Sequence, residues 1–235
     1  PEYQKPFAPM LPGLKHVPFN NYDKLAAAVG EQTAAILLEP VQGEGGVRVG
    51  DREYFQKVRA LCDDRDILLI MDEVQTGFGR TGTMFACEQF VPPDLLCLAK
   101  SLAGGLPMGA VLSSDRVSVP LKSHTSTFGG NPLACRAALA VLESILELDL
   151  AANAAARGAQ LHDLLQQGLA DNRMVARIRH RGLLVAVEMT RPCAEIVRLA
   201  LEQELLLNVT AQNVIRLLPP LIIDATQTAE IATRL

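Results

Sequence analysis

A chain of 235 residues, 49% hydrophobic and 20% charged, can bury a substantial core as one large domain or two small ones, and this excludes a disordered protein. A net charge of −4 argues against a nucleic-acid or anionic-membrane surface, and no apolar run approaches the roughly 18 residues of a membrane span. The four histidines lack metal-ligand spacing, so no zinc site is expected, and the five cysteines (Cys62, Cys87, Cys97, Cys135, Cys193) form no CxxC pair, which suits free thiols in a reducing cytoplasm.

Pro1, Pro6, Pro9, Pro12 and Pro18 predict an extended surface segment over residues 1–18. A short helix is expected over 23–29 and a buried strand over 34–39, where Pro40 prevents helical continuation. Gln42-Gly43-Glu44-Gly45-Gly46 then forms a loop, in which Glu44 taken alone reads as a solvated carboxylate. Asp51 is expected to cap a helix over 52–64 whose apolar stripe is Tyr54, Phe55, Val58, Leu61 and Cys62. A strand over 67–72, a glycine-rich loop over 78–85, and strands over 95–100 and 109–114 follow, so the repeated unit is strand, helix, strand in a largely parallel sheet. After a polar connection over 116–123, Asn131-Pro132 marks the start of a helix running to about residue 148.

Beyond residue 149 the pattern predicts a helix over 150–169, a strand over 182–189, a helix over 193–204 and a strand over 214–218 closed by Pro219-Pro220. The division expected is therefore 1–148 as one unit and 149–235 as a smaller α+β unit, ending in a helix over 227–235. Arg177, Arg179, His180 and Arg181 form a basic run, read as a solvated edge because no aromatic residues are interleaved.

Two strand ends carry the chemistry. Ile67-Leu68-Leu69-Ile70-Met71 runs directly into Asp72-Glu73, and Leu95-Leu96-Cys97-Leu98-Ala99 runs into Lys100-Ser101. In an open α/β sheet, ligands sit beyond the carboxyl ends of the strands, so Asp72 or Glu73 and Lys100 could meet one ligand. A lysine that forms an imine must be desolvated, and pyridoxal phosphate needs a carboxylate facing its ring nitrogen. On residue types alone, an ordinary structural ion pair is the more frequent meaning of such an arrangement.

The wider sequence changes that weighting. Met71-Asp72-Glu73-Val74-Gln75-Thr76-Gly77-Phe78-Gly79-Arg80-Thr81-Gly82 and Leu98-Ala99-Lys100-Ser101-Leu102-Ala103-Gly104-Gly105-Leu106-Pro107-Met108-Gly109-Ala110 resemble the signature of class III aminotransferases. Glu39-Pro40-Val41-Gln42-Gly43-Glu44-Gly45-Gly46 and Ser126-Thr127-Phe128-Gly129-Gly130-Asn131-Pro132 agree in order and approximate spacing, which is far more specific than a lone glycine-rich loop.

The resemblance implies a fold-type-I α/β enzyme using pyridoxal 5′-phosphate, with acetylornithine and 2-oxoglutarate as expected substrates in arginine or lysine biosynthesis. Lys100 would hold the cofactor, Asp72 would face its ring nitrogen, Val74 would pack on the ring, and Gln75 would bond the ring hydroxyl. Thr127, with Ser126 beside it, would bind phosphate from the neighbouring subunit, which implies a homodimer. Arg216, expensive inside an apolar strand unless it meets an anion, would bind a substrate carboxylate, with Glu44 screening it. Compared with the family, the chain is expected to enter partway through the large domain, leaving the phosphate-cradling loop, the stacking aromatic ring and the donor-selecting arginines ahead of Pro1. Ornithine or 4-aminobutyrate transamination and an aminomutase are alternatives within the family. A non-catalytic remnant of the fold is the alternative from a different class.

Overall fold

A computed structural model describes residues 4–235, so Pro1 of the expected extended segment lies outside the described residues. From there to residue 18 the chain is mostly exposed and irregular apart from one 3-10 turn, Lys5–Phe7. Helix α1 (Tyr22–Ala28) starts where the Asn21 side chain accepts from Lys24 N at 3.0 Å. Strand β1 (Ala35–Leu38) leads into a two-stranded ribbon, β2 (Val41–Gln42) and β3 (Arg48–Val49). Helix α2 (Arg52–Asp64) buries Tyr54, Phe55, Val58 and Cys62 on one face, the expected stripe, with Leu61 partly buried at its margin. Asp51 precedes it but makes no side-chain cap; instead its own N–H donates to Asn20 Oδ1 at 3.0 Å.

Strands β4 (Leu68–Asp72), β5 (Leu95–Leu98) and β6 (Ala110–Ser113) complete a four-stranded sheet in the order β1-β4-β5-β6. The first three strands are parallel and β6 pairs antiparallel with β5. Because β6 returns without a crossover helix, one edge departs from the expected parallel arrangement. The strand expected over 95–100 stops at Leu98, and Lys100 opens a one-turn 3-10 helix, Lys100–Ala103. Phe55, Val58, Leu69, Met71, Leu96 and Leu98 belong to the core between this sheet and its helices. At the opposite end from the strand-end carboxylate, Asp94 enters β5 buried, accepting from Leu69 N at 2.8 Å and from Arg59 and Arg116 at 2.9 Å each.

Helix α3 (Pro132–Glu147) begins as its sequence predicts, the Asn131 side chain accepting from Ala134 N at 2.9 Å. Asp149, in the left-handed region at φ 46°, turns the chain into α4 (Leu150–Gly168). The second sheet is antiparallel: β7 (Val175–Arg181), β8 (Leu184–Met189), β9 (Asn208–Thr210) and β10 (Val214–Leu217), in the order β7-β8-β10-β9. Helices α5 (Ile196–Glu202) and α6 (Ala225–Arg234) complete it, with α5 shorter than the helix expected over 193–204. Leu161, Leu165, Val185, Val187, Ile215 and Leu217 belong to the core of this second layer.

Strands β7 and β9 are absent from the sequence expectations. Within β7, the basic run is an edge strand rather than a fully solvated one, because Arg179 turns inward with its side chain only 14% exposed. A third small cluster of Val41, Val47, Leu184, Ala186 and Val214 joins the ribbon to the second sheet. The glycine-rich loop joins it too: Arg80 donates to Leu183 O at 3.0 Å and Pro219 O at 2.6 Å, and burial pulls its guanidinium pKa down to about 10. Gly182, at φ +54°, makes this seam possible, since a Cβ there would sit 2.5 Å from Arg80 O. Among the described residues no helix is long and apolar enough to cross a membrane.

Candidate active site

Parallel strands β1, β4 and β5 deliver two carboxylates and an amine to their carboxyl ends. Leu38 pairs with Met71, so the next residues, Glu39 and Asp72, leave the sheet side by side. Asp72 in turn pairs with Cys97, three residues before Lys100. The alternation of β4 decides between its two carboxylates. Leu69 and Met71 face the core, and Glu73 follows them, fully buried, accepting from Thr76 Oγ1 at 3.0 Å, Ala86 N at 2.6 Å and Cys87 N at 2.7 Å. Glu73 is therefore an internal clamp for the loop after β4. Asp72 points the other way, half-buried, and its Oδ1 accepts from Val74 N at 3.0 Å.

Lys100 sits in the left-handed region at φ 47°, a conformation that costs a non-glycine residue about 1–3 kcal/mol and that clusters at functional sites. The sequence suggested a buried amine; the side chain is instead exposed, because the chain leaves the sheet at Leu98 and turns outward before Lys100. Both Asp72 and Lys100 act on Glu39. Burial raises the Glu39 carboxyl above the usual range, a hydrogen bond from Gly43 N at 3.4 Å opposes this, and the charge on Asp72 raises it while that on Lys100 lowers it.

A second constellation forms where the ribbon meets the second sheet. Arg216 of β10 is only 7% exposed and its Nη1 lies 2.7 Å from Glu44 Oε1, while Glu44 itself is 64% exposed. Arg216 also donates to Gln75 Oε1 at 3.2 Å and, through Nε, to Asn208 Oδ1 at 3.2 Å. Gly43 leaves room for the Gln75 amide, which a Cβ at that position would push aside. Thr210 Oγ1 donates to the Glu44 carbonyl and lies 3.4 Å from its carboxylate. Burial alone would raise the Glu44 carboxyl. Arg216, Gln75 and Thr210 outweigh it and hold the group below its usual range.

The structure thus brings Glu44, Gln75 and Arg216 into direct contact and sets Asp72 and Lys100 at neighbouring strand ends, with Val74 half-buried two residues beyond Asp72. Ser126 and Thr127 lie in a wholly exposed run just before α3, where Ser126 Oγ accepts from Gly129 N at 3.0 Å. Among the described residues no hydrogen bond links either hydroxyl to Asp72, Gln75 or Lys100. Sequence reasoning missed Asn208, Thr210 and Arg179 as parts of the site's surroundings. Asn208 and Thr210 fall in a three-residue strand too short to leave a periodic signal, and Arg179 was hidden in a run that reads as surface.

An acid and a lysine at adjacent parallel strand ends, with a carboxylate-screened arginine beside them, define a site for amino and carboxylate chemistry. The family model for class-III aminotransferases matches residues 1–235, and the chain belongs to that family. Acetylornithine aminotransferase of Gloeobacter violaceus is 49% identical over 234 residues, covering 98% of this chain and 58% of that protein. The protein of the same name from Methanocaldococcus jannaschii is 46% identical over 227 residues, covering 95% of this chain and 57% of its own length. Among solved structures, ornithine aminotransferase from Toxoplasma gondii superposes with a TM-score of 0.93 at 37% identity, covering 97% of this chain and 56% of that one. Acetylornithine aminotransferase from Elizabethkingia anophelis gives 0.87 at 34% identity, with 95% and 62% covered. The chain therefore spans a little over half the length of the curated relatives it matches.

Proposed function

We propose that this chain carries the reacting centre of a pyridoxal-phosphate-dependent transaminase that moves the amino group of N-acetylornithine, or of a related lysine precursor, to 2-oxoglutarate, within arginine or lysine biosynthesis. The observation that carries this reading is the pair of buried Arg216 and exposed Glu44, held against Gln75. A transaminase must accept two unlike substrates in one site. N-acetylornithine presents its reacting amine far from its carboxylate, whereas 2-oxoglutarate presents a carboxylate beside the reacting carbon. A guanidinium that can be covered or uncovered distinguishes the two, and its planar fork suits a carboxylate.

The donor set present in the chain fits the cofactor: an amine, a carboxylate on the neighbouring strand, a side-chain amide and an apolar residue stand at the carboxyl ends of β4 and β5. Bound there, pyridoxal phosphate supplies an electron sink for the pair of electrons left when a proton departs from the substrate carbon. Lys100 would hold the cofactor through its amine, the group placed to move a proton at the substrate carbon. Asp72 would keep the ring nitrogen protonated. Val74 would pack against the ring, and Gln75, which accepts from Arg216 at 3.2 Å, would bond the ring hydroxyl.

Ser126 and Thr127, exposed and without a hydrogen bond to Asp72, Gln75 or Lys100 among the described residues, suit phosphate binding in the site of a second copy, so we assign a homodimer with shared sites. The separate cores of the two sheets support a division into a cofactor-binding unit, 1–148, and a smaller unit, 149–235. Free cysteines suit the cytoplasm. Ornithine, which lacks only the acetyl group, is the second reading as donor, favoured by the Toxoplasma gondii likeness. Borohydride reduction of the cofactor-loaded protein, followed by peptide mapping, tests the assignment. The label is expected on Lys100, and Lys100→Arg should abolish it together with turnover; a label on Lys57 or Lys122, or none at all, overturns the proposal. Parallel assays with N-acetylornithine and ornithine then identify the donor.

A further inference from the structure

The loop that carries Glu44 belongs by sequence to the first part of the chain, yet it is tied to the second sheet at two points. On one flank, Thr210 of β9 takes the Glu44 carbonyl. On the other, Arg179 of β7 donates through Nε to Gly46 O at 2.9 Å and Val47 O at 3.0 Å, and its Nη2 also reaches Gly46 O. The guanidinium is itself aligned by an ion pair with Glu188 of β8 and is only 14% exposed, so its fork is held rather than waving. Below it, Val47 is fully buried among Val41, Leu184, Ala186 and Val214. The backbone at the turn is demanding: Gly46 has φ +95°, and a Cβ there would sit 3.1 Å from Val214 and 3.3 Å from Arg179. Between the two anchors the Glu44 side chain, 64% exposed, reaches over to Arg216.

We propose that Arg179 is a positioning residue for substrate discrimination: it fixes the backbone from which Glu44 reaches Arg216, so that the carboxylate opens and closes by side-chain rotation while the loop stays still. The proposal rests on the reading of Glu44 and Arg216 given above and deepens it. Only Gly45 lies between Glu44 and Gly46, so losing the Arg179 fork lets the loop shift and moves the carboxylate off its 2.7 Å contact. Arg216 is then uncovered for a larger fraction of the time, and α-amino acids compete better as donors. 2-Oxoglutarate, which uses Arg216 directly, gains from the same uncovering and binds no more weakly than before.

The test uses the cofactor-loaded protein with Arg179→Gln and, because that change could loosen the fold, Glu188→Gln, which removes only the charge that aligns the guanidinium. Hydrogen exchange of the amides in 45–49 is read alongside stopped-flow rates for the glutamate and N-acetylornithine half-reactions. Both variants should speed exchange in 45–49 and raise the glutamate rate relative to the N-acetylornithine rate by about three- to tenfold, the span of a weakened, partly exposed ion pair. The KM for 2-oxoglutarate should not rise, because Arg216 itself is intact, and Arg179→Lys, which restores the charge and one donor, should recover part of the ratio. Unchanged exchange, or faster exchange with an unchanged ratio, overturns the proposal. Glu44→Ala separates the two levels. If it leaves the ratio unchanged, the carboxylate gate itself is wrong; if it shifts the ratio while both clamp variants do not, only the role of Arg179 fails.

Discussion

Arg216→Ala separates a structural arginine from one that handles substrate. In the resting protein the change removes a 2.7 Å ion pair and hydrogen bonds of 3.2 Å to Gln75 and to Asn208. Glu44 is 64% exposed, so its carboxylate returns to water when its partner is lost, and that pair contributes at most about 1 kcal/mol to folding. Under the proposed function a substrate carboxylate takes the place of Glu44 on Arg216, whose own side chain is only 7% exposed and stays out of water when the partner is lost. Truncating one member of a buried charge pair costs about 2–5 kcal/mol, which is roughly 30- to 4,000-fold at 1.4 kcal/mol per decade. The 2-oxoglutarate half-reaction should therefore fall by that factor in kcat/KM. The N-acetylornithine half-reaction, run with the arginine covered, should change by less than about threefold. Single-turnover stopped-flow absorbance of the two half-reactions, each started from the appropriate cofactor form, measures both. Equal losses in the two halves would mean that Arg216 supports the strand and not the substrate, and the carboxylate gate would have to be abandoned.

Two further outcomes follow from the same geometry. Glu44 is held below its usual carboxylate range by Arg216, Gln75 and Thr210 against the opposing effect of burial, so its pair is complete above the ordinary value near about 4.3 and is lost as pH falls through the lowered one; discrimination between glutamate and N-acetylornithine should stay flat from about pH 6 to 9, and a midpoint inside that window would contradict the assignment. Glu73→Gln leaves one acceptor oxygen where two carboxylate oxygens now serve Thr76, Ala86 and Cys87, stranding a buried N–H; a loss of about 2–3 kcal/mol, or a Tm lower by about 4–12 °C in calorimetry, is expected, and an unchanged Tm would show that the clamp is dispensable.

Local chemistry made much of this protein legible in the sequence. The apolar run ending at Asp72 marks the end of β4, and its counterpart before Lys100 marks β5 to within two residues, without any knowledge of their partners, because a buried strand needs only continuous apolar residues and a polar stop. Asn131-Pro132 defines the start of α3 for an equally local reason, a side-chain acceptor three residues before its donor. The apolar stripe of α2 needs only helical spacing. Where partners are distant in sequence, this legibility ends. Asp72 and Glu73 are neighbours of the same charge, and only the facing of β4 leaves one half-buried at the strand end and seals the other inside with Ala86 and Cys87. Lys100 is exposed because the backbone turns left-handed after Leu98, a conformation set by the fold and not by the side chain. Arg179 shows the limit most plainly. Beside other basic residues it looks like surface, and it becomes a clamp only when β7 lies next to β8, bringing Glu188 to its fork and the carbonyls of Gly46 and Val47, more than 130 residues earlier, to its tip. A guanidinium's meaning depends on which acceptors surround it, and chain folding, not local sequence, brings those acceptors together.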